Sequence, residues 1–313
     1  MTREHWTTAT LGRGRRLESV ERLTGGTKKG VYRLTMDDAT TVIAYRWDDT
    51  ENFWPPAEGD DDLTDPFSPG LGPDQFLAAH ARLRALGVRV PEIRFVGADG
   101  LVLVEDLPGE NLEQLLARDP DAAAPVLARL AESLDAMARY RAPTYGKVAV
   151  VDGGGTSRGT SCPAVVLDRA IGDLAEAAAR DDRVADAHDR LLERLSSLAE
   201  DVRPRAEYAV VHGELGPDHV RIGADGHPVL IDLEGVMYFD VEWEHAFLEI
   251  RLHDAYRPLR AEGLDEARLA LYRLAERLSL TAGPLRLLDG GVPGRAFLAA
   301  VAEHNLTRAL RGA

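Results

Sequence analysis

Up to Trp47 apolar and polar positions alternate in short runs: "LESVERL", "VYRLTM" and "TTVIAYRW". Gly- and Asp-rich clusters, "TGGTKKG" and "DDA", separate them. Period-two alternation broken by such clusters predicts β-hairpins. Residues 48–72 hold Asp, Pro and Gly in place of a pattern and read as a loop or insertion. "PDQFLAAHARLRALG" then predicts a helix, with Pro73 in its first turn and Gly87 at its end. "VPEIRFVGADGLVLVEDL" returns to strands about a Gly-containing turn.

After Gly109 the period becomes helical. Leu127, Leu130, Leu134 and Met137 form one stripe, and Leu191, Leu192, Leu195 and Leu198 another. Both are read as core. "VVDGGGTSRGTSCP" is a flexible connection between helices. A strand pair near residues 220 and 230 interrupts the helices. The expected fold class is therefore α+β: a small antiparallel-sheet lobe with one helix, residues 1–106, then a larger, mainly helical lobe, residues 107–313. "VLVEDLPG" links them.

Composition narrows the function. The chain has 313 residues, 45% hydrophobic and 28% charged, with net charge −15. No basic stripe offers itself to a nucleic acid. The acidic balance is explained first by solubility and is compatible with a cationic substrate. The lone Cys162 has no thiol to pair with and reads as structural. No apolar leader or membrane-length run is present, so a cytoplasmic protein is expected.

The candidate chemistry gathers in "HGELGPDHV", residues 212–220. "ADGH" downstream predicts a two-residue turn at Asp225–Gly226. Folding about its midpoint sets His219 opposite Asp232, with Glu214 just ahead of the first strand. In the first hairpin region, "TGGTKKG" offers backbone N–H groups for phosphates, with Lys28 and Lys29 nearby. Folding the next hairpin about Asp38 places Arg46 opposite Gly30.

The order of Gly-rich hairpin, cation-bearing strand, helix, connector, "HGELGPDH", hairpin and "IDLEG" resembles the aminoglycoside phosphotransferase family, over roughly residues 17 to 250. Choline, homoserine and fructosamine kinases are more distant resemblances. The resemblance implies a bilobal protein-kinase-like fold and an ATP-dependent kinase acting on a hydroxyl of a small molecule, such as an antibiotic or a pathway intermediate. It implies that Asp232 binds Mg²⁺, that Glu214 orients or deprotonates the acceptor hydroxyl, and that His212 shapes the loop. His219 stands at a second metal position, where imidazole suits Mn²⁺ better than Mg²⁺. Gly25, Gly26, Lys28 and Gly30 belong to the phosphate-covering turn, and Arg46 to the strand-three cation. Backbone groups of Val104, Glu105 and Leu107 would hold adenine. Glu244 and His245 lie where a helix start would steady the catalytic loop. Glu242, Glu249 and Asp254 are placed on the acceptor side.

Four positions depart from the family pattern. Glu214 replaces Asp, His219 replaces Asn, and Arg46 replaces Lys. The helix position that should pair that cation falls at Ala79 or His80, with Asp74 as a substitute. These changes motivate the rival reading, a nucleotide-binding sensor or scaffold without turnover. "HGEL" and the lack of an activation segment argue against a protein kinase.

Overall fold

The computed structural model describes residues 16–24, 26–55, 62–70, 72–97 and 100–311. Gly25 lies outside them. Strands β1 (Leu17–Arg22), β2 (Gly30–Met36), β3 (Thr41–Arg46), β4 (Ile93–Val96) and β5 (Val102–Glu105) form one antiparallel sheet in the order β1-β2-β3-β5-β4. Helix α1, Pro73–Ala85, packs on it and ends before Gly87, whose φ of 78° suits glycine. The β2–β3 register is the predicted one, with Gly30 opposite Arg46.

Alternation divides this sheet's side chains between two cores. Leu17, Tyr32, Leu34, Met36, Ala44, Leu101 and Leu103 make an outer cluster. Ile43, Tyr45, Val102 and Val104 belong to the main core, with Phe76 and Leu83 of α1. Odd positions of β3 therefore face the rest of the protein and even positions face away.

The C-terminal part is helical, as expected. Leu130, Leu134 and Met137 of α3 (Pro120–Arg139) and Leu191, Leu195 and Leu198 of α6 (Asp182–Glu200) are buried. Alternation did not reveal a small sheet within it, ordered β6 (Arg141–Ala142), β8 (Tyr208–Val211), β11 (Met237–Phe239), β7 (Gly146–Lys147). Its strands are two to four residues long and β8 and β11 are buried throughout, which hides any alternation. Residues 151–163, expected as a flexible connection, begin and end in helices and are tied down between them. The Arg158 amide and the Ser157 hydroxyl both donate to Thr64 O, at 2.8 and 2.6 Å. Cys162 is buried and its thiol is pushed up by burial, as a structural thiol should be. Among the described residues no helix is long and apolar enough to cross a membrane.

The hairpin of β9 (Val220–Ile222) and β10 (Pro228–Leu230) corrects one expectation. Pairing runs Val220↔Leu230 and Ile222↔Pro228, one residue out of the predicted register. The loop has three residues: Gly223 pairs with His227, and Gly226 closes the turn at φ 74°. His219 therefore stands opposite Ile231, whose amide donates to His219 O at 3.0 Å.

Candidate active site

His219 and Asp232 still meet. His219 ends a 3-10 turn, Pro217–His219. Asp232 leaves the ladder in the left-handed region, φ 64° and ψ 57°. That conformation is costly for a non-glycine residue and recurs where a side chain must be aimed. It sets Asp232 Oδ2 3.7 Å from His219 Nε2. Asp232 Oδ1 accepts from Lys29 Nζ at 2.6 Å, and Lys29 also reaches Glu234 Oε1 at 2.6 Å.

The loop carrying Glu214 is fixed from below. Glu244, on α7 (Val241–Leu252), accepts from the His212 and Gly213 amides, the latter at 3.1 Å. Trp243 Nε1 donates to Gly213 O at 3.0 Å. A Cβ on Gly213 would lie 2.6 Å from Gly235 O, so a glycine there lets two loops touch. Burial pushes Glu244 up to about 7, against the pull of the amides it accepts. His212 is buried, donates through Nε2 to Ile231 O at 2.9 Å, and burial holds it down near 4. It is a neutral structural ring that lines neither cavity of the cleft. His245 bonds the Tyr256 hydroxyl through Nδ1 at 3.0 Å.

Two cavities open between the sheet and the helical part. The first, about 390 Å³, has Val31 and Ile43 above, Ile231 below, and Glu105, Asp106 and Leu107 along one edge. The second, about 360 Å³, is lined by Lys28, Trp54, Phe67, Lys147, Arg169, Asp173, Glu214, Trp243 and Glu276 among others. Gly26, Lys29 and Asp232 line both, so the cavities meet there. A Cβ on Gly26 would lie 2.5 Å from Lys29 O, so the tight turn over this junction requires glycine.

Glu214 opens onto the second cavity. Burial would raise its carboxyl, but Lys28, Arg169 and His219 outweigh both burial and Asp232 and hold it below the ordinary glutamate value. It is a carboxylate at neutral pH, free to accept a proton. Asp232 resists burial in the same way. Lys29 and His219 hold it well below the usual range. Burial also disfavours charge on Lys29, yet Asp232 and Glu234 raise it far above an ordinary lysine. Lys147, buried on β7 and donating to Glu234 O at 2.8 Å, is lowered by burial to about 8.

The expected metal ligands can be tested by their donors. His219 Nδ1 faces Glu214 O at 2.8 Å, and a carbonyl can only accept, so Nδ1 carries a proton. Burial disfavours charge on the ring, but Asp232 and Asp218 raise its pKa above the ordinary value. The remaining ring nitrogen, Nε2, lies 3.6 Å from Asp218 Oδ2 and 3.7 Å from Asp232 Oδ2, so it faces two carboxylates. Asp232 Oδ2 remains a hard oxygen facing the cavity junction. The donor set fits one hard cation that draws its other ligands from phosphate oxygens and water, as Mg²⁺ commonly does. Among the described residues no group of three or more His, Cys, Asp or Glu side chains forms a cage.

Several sequence assignments fall elsewhere. Arg46, on an even position of β3, lines neither cavity and reaches Asp48 at 2.7 Å and Glu51 at 3.9 Å on the outer face. Gly30 shares that face, where an added Cβ would meet Tyr32 and Glu51 within 2.7 Å. Val104 is fully buried. The connector residues Glu105 and Leu107 do line the first cavity, with Glu105 N taken by Glu92 O at 2.8 Å and Leu107 O by Arg221 at 2.6 Å. Ala79 and His80 are buried, and His80 bonds Pro91 O. Glu242 is buried against Arg205, Glu249 pairs with Arg273, and Asp254 is exposed. None of these three lines the second cavity. The acids that do line it include Asp173 and Glu276, which arrive from remote helices and have no local motif to reveal them.

Relatives agree with this architecture. Residues 68–281 match the model of the APH phosphotransferase enzyme family, which is more than half the chain. The chain belongs to that family. This phosphotransferase is accordingly a small-molecule kinase by membership. Its fold is shared with aminoglycoside phosphotransferase APH(4)-Ia, solved as a thermostable mutant with AMP-PNP and hygromycin B, at 18% identity and TM-score 0.62 over 99% of this chain and 98% of that one. The choline kinase LicA from Streptococcus pneumoniae aligns at 14% identity and TM-score 0.61, covering 95% and 93%. A Thermobifida fusca protein named for fructosamine-3-kinase aligns at 21% and 0.56, covering 99% and 98%. No curated protein matches the sequence closely enough to count as a relative.

Proposed function

We propose that this phosphotransferase moves the γ-phosphoryl group of ATP to a hydroxyl of a small natural product, with an aminoglycoside-like antibiotic as the leading acceptor class. The supporting observation is the junction of two cavities at Gly26, Lys29 and Asp232, with Glu214 on the far side. Adenine would enter the first cavity between Val31 and Ile231, with its edge toward the connector. The phosphates would run under Gly26 to the junction. An acceptor in the second cavity would turn its hydroxyl to Glu214. Glu214 takes the hydroxyl proton as the new O–P bond forms in line and the bond from γ-phosphorus to the β–γ bridging oxygen breaks, releasing ADP. Mg²⁺ bound at Asp232 would neutralise phosphate charge, and Mn²⁺ could serve in the same place. His219, 3.7 Å away through Nε2, steadies Asp232.

An acceptor carrying amines as well as hydroxyls suits the second cavity. Glu276 is 2% exposed there, and neither of its carboxyl oxygens has a partner. Buried oxygens of this kind need donors. Residues 1–106 would supply the nucleotide side and 107–313 the catalytic side, with Trp47 and Trp54 of the first segment reaching over to the acceptor.

Incubating the protein with ATP, Mg²⁺ and a panel of aminated polyols tests the reading. ATP consumption with a new phosphate monoester in the ³¹P spectrum is expected. Nucleotide-induced thermal stabilisation with no turnover for any acceptor would favour the rival sensor or scaffold.

A further inference from the structure

The phosphate side of this cleft lacks the cation that strand three was expected to supply. Strand parity explains why. Ile43 and Tyr45 face the cleft and line the first cavity, so the last cleft-facing seat on β3 is occupied by Tyr45, a phenol. Arg46, one residue on, points to the outer face and its Asp48 and Glu51 partners. The ammonium nearest that seat comes from a different element. Lys29 precedes the first rung of β2, is 6% exposed, and holds Nζ 5.0 Å from the Tyr45 ring centroid. It lines both cavities and touches Asp232 and Glu234 at once.

We propose that Lys29, resting on Tyr45, is the cation that pairs the phosphates in this enzyme, and that Arg46 is a structural residue of the outer face. The proposal rests on the nucleotide reading above. An ammonium has three donors, and two are used by Asp232 and Glu234. The third is available to a phosphate oxygen. Entry of a polyphosphate at the junction brings new acceptors to Lys29 and lets it loosen from Asp232, whose carboxylate is then open to a hard cation. With no nucleotide bound, the two carboxylates compensate the buried Lys29 ammonium, which would otherwise be an unpaired buried charge.

Calorimetric binding of Mg²⁺–AMP-PNP and of adenosine to four proteins tests this. Wild type is expected to bind both. Lys29→Met is expected to weaken AMP-PNP by about 10- to 100-fold, the loss of a charge-assisted contact, and to leave adenosine unchanged. Arg46→Met should leave both within about twofold, because it touches neither cavity. The double variant Lys29→Met/Tyr45→Lys returns an ammonium to the cleft from strand three and is expected to recover AMP-PNP binding. It also keeps the charge that Asp232 and Glu234 need, so it serves if Lys29→Met does not fold. Weakened AMP-PNP binding in Arg46→Met, or full-strength binding in Lys29→Met, would overturn the proposal. So would failure of the folded double variant to bind AMP-PNP while it still binds adenosine. If wild type binds neither ligand, the nucleotide reading itself falls first.

Discussion

Two hairpins frame the cleft, and they differ in where their chemistry sits. The upper one, β2–β3, pairs without a break from Thr35↔Thr41 to Gly30↔Arg46. The lower one, β9–β10, has three rungs and leaves the ladder at both ends. In both, the groups at the cavity junction lie just off the ladder. Lys29 comes one residue before the first rung of β2. His219 comes one residue before β9, and Asp232 two after β10. Rungs fix height and facing under strict alternation, and that alternation sends Arg46 outward. The irregular ends escape it, so a one-residue change of register left His219 beside Asp232.

If this contrast holds, changes beyond the ladder ends should damage chemistry, and changes on the rungs should damage stability. Asp232→Asn is expected to cost about 10²–10³-fold in turnover, on the scale of losing a preorganised charge contact to a phosphoryl group. Steady-state kinetics checks it, with circular dichroism confirming the fold. Glu214→Gln should lower kcat by about 10²-fold or more while the Kd for AMP-PNP changes little. Unchanged kcat would remove Glu214 as the base. Gly30→Ala, on a rung, should lower stability by about 1–3 kcal/mol through overpacking against Tyr32 and Glu51, with kcat kept in the folded protein. Urea unfolding against kinetics separates these outcomes.

Glu244→Gln tests the floor beneath the lower hairpin through pH. Folding raises the Glu244 carboxyl from its ordinary 4.5 to about 7. Between those values the folded state binds more protons than the unfolded state. Its contribution to stability is therefore full below pH 4.5 and lost as pH rises through about 7. The variant should flatten that part of the stability–pH curve, measured by denaturant titrations from pH 4.5 to 8. The smallest effect is expected at Glu249→Gln, which pairs with Arg273 away from both cavities and should leave the acceptor KM unchanged.

Much of the frame was readable because it depends on local pattern. The sheet, α1 and the helical stripes follow from period, and the 212–220 cluster from its density of ionisable groups. The upper register followed from a short Asp-rich turn. The lower register did not, because "ADG" serves a three-residue loop as well as a two-residue one. The facing of Arg46 was missed although parity with Ile43 and Tyr45 was in the sequence. Glu234 could have been noticed as the second acid of "IDLEG". Lys147, Arg169, Asp173 and Glu276 could not, since only tertiary packing brings them to the acceptor cavity.

The most direct test is crystallographic: the position of the phosphates of AMP-PNP, with Mg²⁺, in this protein. Adenine between Val31 and Ile231, with the terminal phosphate between Asp232 and Glu214, is the expected result. A nucleotide bound elsewhere, or a triphosphate turned away from Asp232, would contradict the cleft described above.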